Sequence, residues 1–223
     1  MVENLEEIKI DLFQFIRISL EWMVNLCVPK QSYMKFSKEN WRPHEYEEWL
    51  ELNLDLIGNL ISDNKVVKAL NDGVPESFAP FSSFNRKESF IYFQTLNDYF
   101  DKNFENGLEY IVFGSDGAGN PFCINKLNNS EIVLLDFELE KIVSTNRNID
   151  EFLDSILAYR MFINVVQSKY GAEALFDNLY RQEDIETLKQ KFSKINANLL
   201  SSSEFWKQEI EELIVNKNDS PTS

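Results

Sequence analysis

The stretch Tyr110-Ile-Val-Phe-Gly-Ser-Asp-Gly-Ala-Gly-Asn-Pro-Phe-Cys-Ile-Asn125 decides how this chain is read. Two apolar runs, Glu109–Phe113 and Pro121–Asn125, flank a segment holding three of the seven glycines of the chain. Strand-forming residues on either side of a glycine-rich turn predict a β-hairpin. In this reading Asp116-Gly117 supplies the positive φ that the turn needs. The same glycines suggest a phosphate cradle, which requires a helix N-terminus directly after the loop. Here Pro121-Phe122-Cys123-Ile124 reads as a strand, and no Gly-Lys-Ser follows. A calcium loop needs alternating acidic ligands and a distant glutamate, and only Asp116 is suitably placed. The hairpin is the better reading.

Downstream of it, Asn128–Ser130 predicts another turn, then Ile132–Phe137 and Lys141–Ser144 two more strands. Short strands joined by short turns predict an antiparallel meander. Alternation places Asp136, Glu138 and Glu140 on one face or its turn, where a solvated surface is the plainer reading. The C-terminal third is helical. Asn148 with Glu151 predicts a capped start, Gly171 an interruption, and Ser201 with Glu204 the start of a last helix carrying Phe205 and Trp206.

Upstream, Phe78–Phe81 and Glu88–Phe93 read as aromatic-rich strands, and Leu96–Phe104 as a short helix capped by Thr95. Gly73-Val74-Pro75-Glu76 is a break, preceded by a helical turn over 64–71. A helix is predicted over 44–61, an irregular stretch over 30–43, and a helix over 4–27, apolar nearly all round. The predicted fold class is α+β: a central, mostly antiparallel sheet flanked by helices, with helical N- and C-terminal segments. One domain is expected over residues 1–215, with a helical part at 1–65, the sheet at 70–147 and C-terminal helices at 148–215. A frayed tail is expected at 216–223.

Composition restricts function. Lys+Arg is 22 and Asp+Glu is 37, so the formal charge is 22 − 37 = −15. Nucleic acid and anionic lipid repel such a chain, and basic proteins attract it; solubility alone also accounts for an acidic surface. Cys27 and Cys123 lie far apart in apolar runs and read as buried free thiols, as in a reducing compartment. The one histidine, His44, provides neither a zinc ligand set nor a Ser–His or Cys–His relay. Carboxylates are so numerous that no acid–base pair stands out. No catalytic residue, metal ligand or cofactor is therefore assigned, and a binding role is expected over an enzymatic one. The N-terminus carries acidic residues where a signal peptide has basic ones, and charges interrupt Ile10–Val28. A cytoplasmic protein without a membrane segment is expected.

In its glycine-rich hairpin, the order "strand, Gly-x-Asp-Gly-x-Gly-x-Pro, strand", the chain resembles the SUKH superfamily. Gly73-Val-Pro-Glu76 is similar to the motif before that superfamily's first strand. The helix from Asn148 to Tyr159, with Phe152, Leu153 and Ser155, and the late Phe205-Trp206 pair most resemble its fourth family. The resemblance runs over about residues 70–215. It implies an α+β domain, and it implies an immunity protein that binds and occludes a bacterial polymorphic toxin domain. A basic nuclease-type toxin would suit the acidic charge. The alternative it implies is a non-catalytic regulatory scaffold of a host complex such as cell-envelope synthesis. The contact residues expected are Asp116 and Asn120 at the hairpin, Asp136 and Glu138 on the sheet, and Phe81 and Tyr92 as aromatic anchors.

Overall fold

The chain divides into two units, Met1–Tyr33 and Met34–Ser223, and the computed structural model describes residues 34–43 and 45–219, all in the second. The helix expected over 4–27, with Cys27, and His44 lie outside the described residues. In chain order the elements are α1 (Lys38–Trp41), β1 (Trp49–Leu50), α2 (Leu54–Ile57), α3 (Asn64–Ala69), β2 (Val74–Pro75), β3 (Ser77–Phe78) and β4 (Ser82–Phe84). Then come β5 (Arg86–Lys87), β6 (Phe90–Ile91), β7 (Gln94–Thr95), α4 (Leu96–Phe100), β8 (Tyr110–Ser115), β9 (Pro121–Asn125), β10 (Glu131–Asp136) and β11 (Lys141–Asn146). The C-terminal part holds α5 (Ile149–Tyr170), α6 (Gln182–Ile195), α7 (Leu199–Ser202) and α8 (Glu204–Asp219).

The fold is mixed α+β, with a mostly antiparallel sheet and helices towards the C-terminal end. The main sheet runs β11-β10-β9-β8-β4-β3, and β7 also pairs with β8. One edge of β8 carries β9. The other is shared by β4 at Gly114–Ser115 and β7 at Ile111–Val112. Gly114 is required there: a Cβ would stand 2.5 Å from the Ser83 carbonyl oxygen.

The sheet is covered on both faces, which is why its strands read as continuous apolar runs. One face presents Ile111, Phe113, Phe122, Ile124, Ile132, Leu134 and Val143 to the main core. The long helix α5 lies in that core, with Phe152 at its centre. The Phe152 ring has Phe113 and Phe122 at 5.5 Å, Phe78 at 5.6 Å and Phe84 at 6.3 Å. The other face packs Val112, Cys123, Val133 and Leu135 with Leu96, together with the half-buried Tyr99, Phe104 and Tyr110. Cys123 is buried and free, and burial pushes its thiol pKa far up.

Local chemistry sets the helix starts. The Thr95 hydroxyl accepts from the Asp98 amide (3.1 Å), and Asn148 Oδ1 accepts from the Glu151 amide (2.9 Å). The last helix is capped by Ser203, whose hydroxyl accepts from the Trp206 amide at 3.1 Å, and not by Ser201 as expected. Ser201 instead belongs to the single turn α7.

Several boundaries differ from expectation: the stretch 30–43 contains α1, the helix expected over Leu96–Phe104 ends at Phe100, and the strands expected over Phe78–Phe81 and Glu88–Phe93 are the short β3 and β6. The N-terminal part is not uniformly helical: the described residues 45–61 contain β1, paired antiparallel with β2 through Leu50↔Val74, and only the one-turn α2. Leu50 is buried against this pairing, and Asn53 restarts the chain by accepting from the Asp55 amide. Conversely, residues 216–219, expected as frayed tail, continue α8 to Asp219.

The outer edge of β11 is met by the α7–α8 junction. The Ser144 hydroxyl donates to the Ser202 carbonyl (3.0 Å) and accepts from the Glu204 amide (3.1 Å), while the Ser203 hydroxyl donates to the Ser144 carbonyl (3.3 Å).

Candidate functional site

The hairpin loop is built around one carboxylate. Asp116 Oδ1 accepts from the amides of Ala118 (3.0 Å) and Asn120 (2.8 Å), and Oδ2 from the Asn120 side-chain amide (3.1 Å). The positive φ comes from Gly119 (+87°), not from Gly117 as the dipeptide suggested. Gly117 has a different role: a Cβ there would lie 3.1 Å from the Phe81 carbonyl oxygen, so the loop rests on the β3–β4 turn.

Phe81 tops that turn at φ +37°, a region that costs a bulky residue energy. Its side chain is 73% exposed. Phe176, from the link between α5 and α6, is 65% exposed, and the two rings lie 6.4 Å apart. Tyr46, Phe100 and Phe137 are exposed as well, so what distinguishes Phe81 and Phe176 is that they come together over one cleft.

Behind this aromatic pair is a cleft of about 420 Å³. Its walls include Tyr159 from α5, Tyr180, Asp116 from the hairpin, and Glu209 and Glu212 from α8. Glu209 and Glu212 are three apart on the helix and share a face. A neighbouring cleft of about 670 Å³ lies against the same two phenylalanines and contains Trp41 and Arg160. Arg160 is not available as a counter-ion to the carboxylates, because it makes a two-pronged pair with Glu47 (both 2.8 Å) beneath Trp41.

The electrostatics of the smaller cleft follow from crowding. Burial, reinforced by the charges of Glu212 and Asp116, pushes the Glu209 carboxyl up to about 7, against the opposing pull of the Tyr159 hydroxyl. Burial, then the Glu209 charge among others, pushes the Tyr159 phenol far up. Among the described residues no salt bridge reaches Asp116, Glu209 or Glu212. Among the described residues the site therefore gathers several carboxylates with no salt-bridge partner, beside two apolar rings. It can receive a positive group, or offer Glu209 as a proton acceptor near neutrality.

Of the six expected contact residues, the structure brings Asp116 and Phe81 together here. Asn120 is spent on architecture: besides bonding Asp116, its Oδ1 accepts from the Phe137 amide (3.2 Å) and so ties two turns together. Asp136 caps the β10–β11 turn by accepting from the Leu139 amide (2.9 Å), and Glu138 is exposed on that turn. Tyr92 is half-buried and lies under the Lys87 ammonium, 5.6 Å from it, rather than in the cleft. The sequence reading missed Phe176, Tyr159, Glu209 and Glu212. An isolated Phe in the polar stretch after Gly171, and paired carboxylates three apart on the Phe205-Trp206 helix, were the available signals.

No family model, curated protein or solved structure matches the chain. Among the described residues no cluster of histidine, cysteine and carboxylate side chains could hold a metal ion, and no helix is long and apolar enough to cross a membrane.

Proposed function

We propose that this chain is an immunity-type binding protein of SUKH character, which neutralises a basic toxin domain by covering its active surface. The observation that carries the reading is the cleft lined by Phe81 and Phe176: exposed aromatic rings bordering carboxylates that, among the described residues, have no salt-bridge partner. Aromatic anchors beside complementary charge are what tight protein recognition uses. The overall charge of −15 would speed encounter with a basic partner and add long-range attraction. The resemblance in the glycine-rich hairpin and the Asn148–Tyr159 helix supports the same reading. The occlusion is steric and electrostatic, and no bond is made or broken.

The test is co-expression of the full chain with the toxin domain encoded by the adjacent gene. Rescue of growth and a stoichiometric complex on gel filtration are expected. Failure of both with a demonstrably active basic toxin would overturn the proposal.

A second reading has one observation in its favour: Glu209, with its carboxyl near 7, could act as a general base. Turnover of a toxin-derived or small-molecule substrate that is abolished in Glu209→Gln would establish it, and rescue by that variant would exclude it.

A further inference from the structure

We propose that the cleft of Asp116, Glu209 and Glu212 is a recognition pocket for one arginine side chain of the partner protein, the stem lying along Phe81 and Phe176 and the guanidinium meeting the carboxylates. This deepens the binding reading above and rests on it.

Three features select that occupant. The volume, about 420 Å³, admits a single long side chain and is too small for a folded element. The lining includes two exposed aromatic rings, 6.4 Å apart and tilted by 48°, against which a flat, weakly hydrated guanidinium and its methylenes pack well. The lining offers carboxylates from two separate parts of the chain, the hairpin and α8, and among the described residues none of them is in a salt bridge. A planar group with several donors can bridge such acceptors, whereas a lysine ammonium meets them only as a point charge. An anionic or neutral ligand would add to the crowding of charge already present.

Binding is then coupled to protons. The groups facing Glu209 are Tyr159 from α5, Tyr180 beside it, Asp116 from the hairpin and Glu212 from α8 itself. A guanidinium relieves the repulsion that holds the Glu209 proton on, so the proton leaves as the cation enters. Affinity rises as the pH passes upward through neutrality, by up to about tenfold per pH unit below that range.

The experiment uses the full chain and three probes: acetyl-Gly-Arg-Gly-amide, the same peptide with lysine, and the same peptide with citrulline, which keeps the shape of arginine without its charge. Binding is read from amide shifts of the 115–119 loop in ¹⁵N spectra. Saturable shifts are expected with arginine, several-fold weaker ones with lysine, and none with citrulline. Between about pH 5.5 and about pH 8.5 the arginine affinity should rise roughly tenfold in the native chain and stay flat in Glu209→Gln. Glu212→Gln, at an exposed position, and Phe176→Ala should each weaken binding at least about threefold without unfolding the protein. Glu186→Gln, far along the chain on α6, is the control and should change nothing. Equal response to citrulline, shifts elsewhere than the loop, or indifference to both glutamate substitutions would overturn the pocket. Toxin rescue that persists with no peptide binding would remove the arginine pocket and leave the binding reading intact. Peptide binding without any rescue would do the reverse.

Discussion

The indole N–H of Trp206 donates to the side-chain carbonyl of Asn146, 2.9 Å away, with both residues buried. Asn146 in turn donates to Ser155 Oγ (3.2 Å), which donates to the Glu151 carbonyl (2.6 Å). One polar thread thus joins α8, β11 and α5 through the core, and every link in it is satisfied.

Breaking the first link should be costly. Trp206→Phe leaves a buried acceptor without its donor, and Asn146→Leu leaves a buried indole N–H without an acceptor while Ser155 keeps its bond to the Glu151 carbonyl. Each is expected to lower unfolding stability by about 2 kcal/mol. The double variant should cost less than the sum of the two singles, because the orphaned partner is gone in both. Urea denaturation followed by tryptophan fluorescence or circular dichroism measures all three.

Acid should act on Asp184. This carboxylate is 3% exposed, and burial alone would raise its pKa; hydrogen bonds from Lys169, from the Arg181 amide and from the Tyr170 hydroxyl outweigh that and hold it below the usual range. A carboxyl depressed in the folded state contributes stability that is present above its unfolded value of about 4 and is lost as the pH falls through the folded one. The native protein should lose stability steeply below about pH 4, and Asp184→Asn should be less stable at neutrality yet flatter in acid. Thermal melts across an acid series decide this.

Glu209 should act in the opposite sense and in a different window. Its folded pKa, about 7, is above that of an unfolded glutamate. The folded state therefore holds the proton more tightly, and stability falls as the pH rises from the unfolded value of about 4.3 through the folded one. Glu209→Gln should raise the melting temperature at alkaline pH and change little near pH 5. A variant no more stable than the native chain at about pH 8.5 would contradict the crowding described here.

Gly114 in β8 and Gly119 in the loop should differ in how they fail. Gly114→Ala places a methyl group against the Ser83 carbonyl and should disturb the β4–β8 pairing, at about 2 kcal/mol or more. Gly119→Ala meets no neighbour within 4 Å but needs φ +87°, so its cost of about 1 kcal/mol is backbone strain alone. Chemical denaturation gives the costs. Amide exchange at Asn85, whose N–H donates to the Phe113 carbonyl, should quicken only in the Gly114 variant.

What the sequence carried well was local. The hairpin, the meander after it, the Thr95 and Asn148 caps and the end of α5 near Gly171 all follow from neighbouring residues, and the structure has them. What it hid was set by distant partners. Residues 44–61 have a helical spacing of apolar positions, yet Leu50 is fixed by Val74, which no local pattern encodes. Ser201 and Ser203 are equally good caps by type, and Ser144 on β11 is what accompanies the choice of Ser203. The cleft was half legible for the same reason. Asp116 lies in the most distinctive motif of the chain, but Glu209 and Phe176 join it only once α5 and α8 have packed. Asn120, expected as a contact at the hairpin, and Asp136, expected as one on the sheet, each hold a backbone amide with their side chain, a role that short polar residues beside turns often take.

The seam at Ser144 has a consequence for how other chains can attach. Because its carbonyl and hydroxyl are already engaged by Ser202, Ser203 and Glu204, a visiting strand cannot zip onto β11 along its whole length. Polymerisation by edge-to-edge stacking is blocked there by the chain's own C-terminal helices. Recognition at that flank has to proceed through side chains, which can discriminate among visitors in a way that a bare ladder of amides and carbonyls does not.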